Sequence, residues 1–423
     1  MPNYLHISTR LILGGSQENT VLSCMGQARL GHAVHLAFGP IYGPEGSLLA
    51  QVQAFNARCA AGDERTTTGL PCAPIGLHEV PNLCRQVSPL RDARALGELE
   101  TLIRRLDPAV VHTHSSKAGI LGRWAAWRIA QGQGKPTIVH TIHGPPFMPI
   151  QGSALQRGKT RAVNYAYTLA ERFAARRCHA IASVAQAMTD EFLARNIGRP
   201  GQYATVYSGM DVEAYLPPAD YAQRRASLRQ ALGLGAQDFV IGTVARLAEH
   251  KGHDDLLDAL ATHLKARPTW KLLWVGDGWW RPRLERRLEA LGLRTQVVLT
   301  GLVPSERVAE HLWTMDVLAH PSTREGLPRT VTQALLAGVC PVAYDVNGTR
   351  EVCIPNQTGR LITPGDTAGL GRAILDLYND PQARQALAHT GQTLCRERFG
   401  AVGMVAALEV FYTQARLKTE RGA

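Results

Sequence analysis

Residues 321–352, "PSTREGLPRTVTQALLAGVCPVAYDVNGTREV", contain a loop, a helix and a strand in succession. Pro328 suits the first turn of the helix, where its missing N–H needs no partner, and Gly338 suits the helix end. An apolar run from Cys340 to Val346 follows and predicts a buried strand. A helix that leads directly into a buried strand is the unit from which parallel sheets are built.

The same alternation of strand and helix patterns extends along the whole chain. Six strand-like runs lie in each half: "YLHIS", "AVHLAFG", "AVVHTH", "TIVHTIHG", "AIASV" and "YATVYSG", then "FVIGTVARL", "WKLLWVGDG", "QVVLTG", "VLAHPS", "CPVAYDV" and "GRLITP". The alternation predicts βαβ units and parallel sheets. It breaks where Gly209, Pro217 and Pro218 interrupt the periodicity. The predicted class is α/β, with two doubly wound parallel-sheet domains that face a cleft.

We place the first domain at residues 1–212 and the second at 213–396. Residues 397–423 are expected to form a helix that packs back toward the N-terminal domain. The segment 42–99 shows little periodicity and many Gly, Pro and Thr residues, so we expect it to be rich in loops.

Length and composition fit two globular domains. The chain has 423 residues, 45% of them hydrophobic, and contains no stretch of 18 apolar residues. The N-terminus lacks the basic start of a signal peptide, and the eight cysteines form no CxxC pair. We therefore expect reduced thiols and a cytoplasmic location, with peripheral attachment to the inner face of the membrane as a further candidate.

Positive charge is concentrated in one part of the sequence. Between residues 103 and 200 there are 14 Lys or Arg and four acids, a net +10, so the other residues carry only +1 of the total +11. Such a band should attract an anionic partner, such as an acidic or lipid-linked glycan or an anionic membrane surface. An ordinary solvated helical face is the alternative, and no nucleic acid partner is expected.

The first half offers three strand ends with polar or glycine residues. A Gly14-Gly15 turn precedes a helix, whose N-terminus favours anionic oxygens. The pattern GxGxxG is absent, which argues against a nicotinamide cofactor. "VHTHSSKAG" and "VHTIHGPPF" supply histidines without accompanying acids, so we expect no metal centre. His143, beside a Pro-Pro turn, is well placed to face a cleft.

In the second half, "GTVARLAEHKG" ends a strand with Arg246, and Lys251 follows five residues later. Two fixed cations at the mouth of a sheet suit a diphosphate, although a pair of solvated charges is the alternative. "LLWVGDG" and "LTGLVPS" provide two more glycine-bounded strand ends, with Asp277 and Gly301. The helix predicted after Pro328 has free N–H groups at its N-terminus, from Arg329 onward. We expect these groups to point back past Glu325.

In order along the chain, these segments resemble glycosyltransferase family 4 (glycosyl transferases group 1). The matching pieces are the Gly14-Gly15 loop, "HTHSSKAG", "HTIHG", "YSGMD", "ARLAEHKG", "VGDG", "LTG" and "EGLPRTVTQALLAGVCPVAYDVNGTREV". The resemblance implies the GT-B fold: two facing Rossmann-like domains, an N-terminal one for the acceptor and a C-terminal one for a nucleotide sugar. It also implies a retaining transferase that needs no metal or cofactor and uses a nucleotide sugar, with UDP-sugars favoured.

Roles for particular residues follow from the resemblance. It implies catalytic roles for His143, Arg246, Lys251 and Glu325. The resemblance also implies that the donor is bound by Gly14, Gly15, Gly276, Asp277, Gly301, Leu302, Gly326, Leu327, Arg329, Thr330 and Gln333. On the acceptor side, the candidates are His114, Ser116 and Lys117.

Two positions depart from the family pattern. The second acid of the Glu-x7-Glu motif, which usually binds the ribose hydroxyls, is the amide Gln333, and Pro328 replaces a common glycine. A catalytically silent module that only binds a nucleotide sugar is therefore one alternative function. A nucleotide-sugar epimerase is another.

Overall fold

The computed structural model describes residues 2–41, 46–114, 116–131, 135–148 and 154–421. It divides into two compact units: Met1–Met210 together with Ala401–Ala423, and Asp211–Gly400. Each unit is built around its own parallel sheet.

The first unit has a seven-stranded parallel sheet in the order β3-β2-β1-β4-β5-β6-β7. Its strands are β1 (Asn3–Ser8), β2 (Ala33–Phe38), β3 (Gly76–Glu79), β4 (Val110–His114), β5 (Thr137–Ile142), β6 (Ala180–Ser183) and β7 (Tyr203–Thr205). The helices that connect them are α1 (Gly15–Arg29), α2 (Leu49–Ala61), α3 (Pro89–Leu106), α4 (Ser116–Ala130), α5 (Ala154–Ala175) and α6 (Gln186–Leu193).

The second unit has a six-stranded parallel sheet in the order β10-β9-β8-β11-β12-β13. Its strands are β8 (Phe239–Val244), β9 (Trp270–Val275), β10 (Val297–Gly301), β11 (Val317–His320), β12 (Cys340–Tyr344) and β13 (Arg360–Ile362). The helices are α7 (Tyr221–Ala231), α8 (His253–Ala266), α9 (Arg281–Leu291), α10 (Val308–Trp313), α11 (Arg329–Leu336), α12 (Thr367–Asn379) and α13 (Pro381–Arg398).

The last helix, α14 (Ala401–Arg421), belongs to the first unit. It packs against α1 and β5. Leu408, Phe411 and Tyr412 of α14 join Val110 and Val139 in one buried cluster. The helix therefore completes the core of the N-terminal sheet.

The central strands are buried along their whole length, which explains their continuous apolar runs. Every residue of β4, β5 and β12 is buried. Trp270 and Trp274 on β9 are the bulkiest fully buried side chains. All eight cysteines are buried free thiols.

The segment 42–99 is more regular than its composition predicts, although residues 62–75 and 80–88 form the expected loops. Residues 42–45 lie outside the described residues, but the rest contains α2, the edge strand β3 and the start of α3. Pro89 opens α3, whose buried stripe includes Ala95, Leu99 and Ile103. The prediction failed at β3 because its sequence, "GLHE", is short and half-exposed and has no apolar run.

In each sheet, the direction in which successive strands are added reverses at one place. This switch point lies between β1 and β4 in the first unit and between β8 and β11 in the second. In open α/β sheets, ligands bind outside the carboxyl ends of the strands at such switch points. Within the described ranges, no helix has the length and apolar character needed to cross a bilayer.

Candidate functional site

In the second unit, the loops that follow β8 and β11 are held together by backbone contacts. The Thr323 N–H donates to the carbonyl of His250 at 2.9 Å, and the Ser322 hydroxyl donates to the same carbonyl at 3.1 Å. Gly252 has a φ of +71°, and a Cβ there would lie 2.0 Å from the carbonyl oxygen of Pro321. Glycine is therefore required at the contact between the two loops.

This contact brings Lys251 next to Glu325. The Lys251 Nζ lies 2.6 Å from Glu325 Oε1, and His320 Nε2 lies 3.1 Å from the same oxygen. The side chains of Lys251 and Glu325 are 20% and 12% exposed, so the pair is shielded but reachable. Two residues that the sequence singled out separately thus form one cluster at the switch point.

Electrostatics keep Glu325 ionised. Burial alone would raise the pKa of its carboxyl, but the Lys251 ammonium and the hydrogen bond from His320 outweigh burial and hold the pKa well below its usual range. The Glu325 backbone N–H donates to Asn347 Oδ1 at 3.1 Å, which fixes the loop. The sequence analysis missed His320, although it ends β11 only five residues before Glu325.

Helix α11 begins after this loop and agrees with the sequence prediction. Val331, Ala334 and Leu335 are fully buried, and Gly338 ends the helix region with a φ of +75°. The Thr330 hydroxyl donates to the carbonyl of Val244 at 3.2 Å, tying the start of α11 to the end of β8.

The side chain of Gln333 lies one turn into α11. It is 8% exposed, and its Nε2 donates to the hydroxyl of Tyr215 at 2.8 Å. An amide at this position therefore has a specific partner in the same unit.

The remaining predicted donor residues of this unit lie at the ends of β9 and β10. The Gly276 N–H donates to the Gly301 carbonyl at 3.0 Å, and Leu302 is 59% exposed. Asp277 accepts from the Gly278 N–H at 2.7 Å and pairs with Arg281 at 3.0 Å, so its carboxylate also supports the loop. The Arg246 guanidinium lies 5.8 Å from the ring centroid of exposed Trp279.

Gly326 and Leu327 both lie in the buried part of the loop before α11. The carbonyl of Gly326 accepts from the Gly348 N–H at 3.0 Å. This contact fixes the loop that joins Glu325 to α11.

In the first unit, the loops at the switch point present glycine and a helix N-terminus. Gly14 and Gly15 are exposed at the start of α1. The Ala118 N–H donates to Thr9 Oγ1 at 3.1 Å, which ties the loop after β1 to the first turn of α4. Ser116 is the first residue of α4. Lys117 pairs with Asp92 at 2.5 Å, so its charge is already partly neutralised.

His143 contacts a buried group of histidines. Its Nε2 lies 3.0 Å from Nδ1 of His114, and His114 Nε2 lies 2.9 Å from Nδ1 of His6. Burial, then the neighbouring histidines, hold the pKa values of His112 and His114 well below the ordinary value, and burial lowers the pKa of His6 to about 4. These three rings are therefore neutral at pH 7.

Ligand nitrogens of His6, His112 and His114 come within 4.8 Å of one another, a spacing that could hold a metal ion. Both nitrogens of His112 are engaged, by Tyr412 at 2.5 Å and by Thr141 at 2.6 Å. His6 bonds to His114 and to Gln27, so a metal would have to replace existing hydrogen bonds. The geometry is that of a hydrogen-bond network.

Several cations of the basic band have internal roles. Arg123 pairs with Glu171 at 2.7 Å, with both side chains almost fully buried. Arg172 donates to the carbonyl of Arg195 at 2.9 Å, and Arg177 lies 3.5 Å from the ring centroid of Phe173. Fewer than 14 charges therefore face solvent as an unpaired field.

The first turns of α5 are different. Lys159 and Arg161 are exposed there, together with Leu155, Tyr165 and Leu169, which are 85%, 64% and 45% exposed. The sequence suggests an apolar stripe that includes Val163 and Ala166, and both are exposed too. We call residues 154–169 the α5 surface; it combines positive charge with exposed apolar side chains.

Two Rossmann-like units in one chain, each with an anion-suited loop at its switch point, define the GT-B class of enzymes. The family model described as Glycosyltransferase Family 4 matches residues 13–214, and the one described as Glycosyl transferases group 1 matches residues 224–393. The chain belongs to glycosyltransferase family 4 and is a glycosyltransferase.

Individual proteins agree with this assignment. The D-inositol 3-phosphate glycosyltransferase of Xylanimonas cellulosilytica is 30% identical over 312 residues, 72% of each chain. The Escherichia coli UDP-Gal:alpha-D-GlcNAc-diphosphoundecaprenol alpha-1,3-galactosyltransferase is 27% identical over 304 residues, 71% of this chain and 74% of its own. The crystal structure of Anabaena HepE in complex with UDP and glucose superposes with a TM-score of 0.77 at 20% identity, covering 98% of this chain and 100% of HepE.

Proposed function

We propose that this glycosyltransferase moves a sugar from a UDP-sugar to a glycan or lipid-linked acceptor, with retention of configuration and without a metal ion. The donor of such an enzyme is a nucleotide sugar. The observation that carries the proposal is the cluster of Lys251, Glu325 and His320 at the switch point of the second unit.

Each member of the cluster has a chemical task in this proposal. Lys251 has three N–H donors, so it can hold Glu325 and still reach a phosphate oxygen. Ionised Glu325 accepts hydrogen bonds from hydroxyls of the transferred sugar. Arg246 and the N-terminus of α11 add positive potential at the leaving diphosphate.

The other predicted residues complete the donor site. Gly276, Asp277, Gly301 and Leu302 frame the strand ends where a base would lie, and Gln333 would meet the ribose hydroxyls. In the first unit, His143 would contact the donor sugar, and Gly15 would approach the diphosphate.

Retention fits the chemistry of Glu325. Its low pKa makes it a poor proton donor, and the cluster offers no second carboxylate of the kind that hydrolases use. In a same-face mechanism the bond from the anomeric carbon to the acceptor oxygen forms as the bond to the phosphate oxygen breaks. The leaving phosphate oxygen takes the acceptor proton, so no protein base is required.

Metal independence rests on the fixed cations. Arg246 and Lys251 stand where a divalent ion would otherwise neutralise the developing negative charge. We expect transfer to persist at full rate in EDTA.

The acceptor would approach the first unit. Ser116, the half-buried first residue of α4, suits this role better than His114, which is buried, or Lys117, which is paired with Asp92. The α5 surface supports an acceptor that is anionic or embedded in an anionic membrane.

Similar proteins differ in the donor they are named for. The Escherichia coli relative is named for UDP-Gal, and a Mycobacterium tuberculosis relative is named a GDP-mannose-dependent alpha-mannosyltransferase. The test therefore compares UDP-, GDP- and ADP-sugars by thermal shift. A donor at a hundred times its dissociation constant should add roughly 2.7 kcal/mol of stability.

The donor that stabilises the protein is then incubated with the enzyme and water as acceptor, and nucleotide release is followed by NMR. Release of the sugar with the donor's own anomeric configuration would support retention. Binding without turnover on any donor or acceptor would favour the silent module. An isomerised nucleotide sugar would favour the epimerase.

A further inference from the structure

A row of hydrogen bonds runs from His143 through the interior of the first unit to α14. His143 Nε2 meets His114 Nδ1 at 3.0 Å, and His114 Nε2 meets His6 Nδ1 at 2.9 Å. His6 Nε2 meets Gln27 Oε1 at 2.7 Å. Gln27 Nε2 then meets Glu409 Oε1 at 3.2 Å. His6 and Gln27 are fully buried, and His114 is 1% exposed.

The far end of this row sets its direction. A carboxylate only accepts hydrogen bonds, so Gln27 must present its NH2 group to Glu409 and its carbonyl oxygen to His6. His6 must then carry its proton on Nε2, which makes its Nδ1 an acceptor. His114 in turn donates from Nε2 and accepts at Nδ1. His143 therefore has to donate from Nε2.

We propose that Gln27 and Glu409 position His143 by fixing its tautomer: a directed chain, His143 to His114 to His6 to Gln27 to Glu409, holds all three rings with the proton on Nε2. In each ring the hydrogen bond at one nitrogen decides the role of the other. The aligned donors polarise one another toward the carboxylate. Glu409 also accepts from the Tyr4 hydroxyl at 2.9 Å, which holds the carboxylate in place.

The consequence for the substrate is specific. In a ring that carries its proton on Nε2, Nδ1 is an acceptor, so any group that hydrogen-bonds to Nδ1 of His143 must donate. A sugar hydroxyl satisfies this requirement, and a phosphate oxygen does not. This consequence rests on the proposed contact between His143 and the donor sugar, whereas the tautomer chain itself does not.

The first test is NMR of the full chain with 15N-labelled histidine, without any substrate. Long-range proton–nitrogen correlations show which ring nitrogen carries the proton, and single His→Gln variants assign the signals. We expect His6, His114 and His143 all to be Nε2–H tautomers. Finding any of the three as the Nδ1–H form would overturn the proposal.

Variants at Gln27 test the direction of control. Gln27→Met removes the acceptor for His6, so we expect a mixture of tautomers at His143 and a kcat/KM at least about tenfold lower for hydrolysis of the identified donor. Gln27→Glu keeps an oxygen for His6 and can share one proton with Glu409. This variant should therefore retain the Nε2–H tautomers of the wild type. Tautomers unchanged in Gln27→Met would contradict the proposal.

Ser23→Ala is the matched control. Ser23 is also buried on α1 near Met404 of α14, but its hydroxyl does not hydrogen-bond to a member of the row from His143 to Glu409. It should lower the melting temperature and leave the histidine tautomers and kcat/KM unchanged. If Gln27→Met fails to fold, the tautomers in the wild type and in Gln27→Glu still test the proposal.

Three further outcomes bear on the hydrogen-bond chain and on the proposed function. Zinc titrated into the wild type should not bind at His6 and His114; stoichiometric binding there would replace the chain with a metal site and refute it. Correct tautomers without turnover on any donor would refute the proposed function alone. Turnover with an Nδ1–H tautomer at His143 would refute the chain alone.

Discussion

At the scale of single residues, Gln333 is the departure from the family pattern that bears most on activity. Its amide donates to Tyr215 and is nearly buried, so it is an integrated part of the second unit. An amide keeps one acceptor and adds two donors, and it can still meet a pair of ribose hydroxyls. What it lacks is charge. A hydrogen bond to an ionised group contributes about 1.5–3 kcal/mol, against about 0.5–1.5 kcal/mol for a neutral one.

We therefore expect Gln333→Glu to change the donor KM less than about tenfold and to leave kcat within a similar factor. A carboxylate there could still accept from the Tyr215 hydroxyl, so the fold should be kept. Glu325→Gln, at the sugar itself, should cost far more. Steady-state kinetics of both variants with the identified donor check this. If the wild type is inactive and Gln333→Glu alone is active, the protein is instead a catalytically silent module that binds a nucleotide sugar.

Arg246 and Lys251, the two cations proposed to bind the leaving diphosphate, should matter for turnover. Arg246→Ala or Lys251→Ala should each lower kcat by about a hundredfold or more, as the loss of one transition-state donor does. His143→Ala should behave similarly. Lys265→Ala, an exposed cation on α8 away from the site, is the control and should leave kcat unchanged. A near-normal rate in folded Arg246→Ala protein would mean that the diphosphate is bound elsewhere.

Glu325 should also leave a signature in the pH dependence of stability. Its pKa is held below the ordinary value, so its ion pair stabilises the fold above about pH 4.3 and is lost as the pH falls toward the depressed pKa. Glu325→Gln should therefore be less stable than wild type at pH 7, since it leaves Lys251 half-buried without its partner. The difference in unfolding free energy should shrink below about pH 4. Urea titrations at pH 7 and pH 3 measure it; a constant difference would mean that Glu325 is not the titrating group.

Sequence reasoning located Lys251 and Glu325 but could not pair them. Both follow strands, and the carboxyl ends of parallel strands meet at one edge, so their proximity was accessible from the pattern. The exact contact depends on how the two loops pack, which no local spacing encodes. The partners of His143 were harder still. Gln27 lies in the last turn of α1 and Glu409 lies on α14, more than 380 positions later, and neither has a local motif.

At the scale of elements, strands buried on both faces were the predictable part. Of the thirteen strands among the described residues, twelve match a run predicted from the sequence, and the exception is β3. The helices α2 and α3 were missed because glycine, proline and threonine in the connecting segments masked their stripes. The other edge strands, β7, β10 and β13, carry apolar runs and were predicted, so β3 was missed because its sequence is short and half-exposed.

The contact between the loops after β8 and β11 makes a sharp prediction at this scale. Gly252→Ala forces a side chain against the Pro321 carbonyl in a left-handed conformation. Gly233→Ala is the matched control, because its φ is also +71° but a Cβ there meets nothing within 4 Å. We expect Gly233→Ala to cost about 1–2 kcal/mol, and Gly252→Ala about 1–3 kcal/mol more.

Chemical denaturation of both glycine variants measures the two costs. Gly252→Ala should also weaken donor binding, since it moves Lys251 relative to Glu325. Equal costs for the two variants would show that the loops relax apart without loss.

At the scale of the whole molecule, the uneven charge of the chain makes an anionic membrane a partner that can be tested. Residues 103–200 carry +10 of the total +11, although Arg123, Arg172 and Arg177 are used internally. Three exposed cations of this band, Arg157, Lys159 and Arg161, lie on the α5 surface beside exposed Leu155 and Tyr165. A basic helix with exposed apolar side chains binds an anionic bilayer through both attraction and apolar insertion.

We expect the protein to sediment with vesicles that contain anionic lipids at low salt and to be released as salt screens the charges. Lys159→Glu with Arg161→Glu should strongly weaken binding. Lys265→Glu with Arg286→Glu is the matched control, because it changes the net charge equally at exposed positions of the second unit. Each Lys or Arg near an anionic surface contributes about 1 kcal/mol, so the first double variant should lose more than tenfold in partitioning. The control should lose far less, because its charges lie off the α5 surface. Equal losses in the two double variants would mean that net charge alone drives binding, and no sedimentation of wild type at low salt would exclude the membrane as a partner.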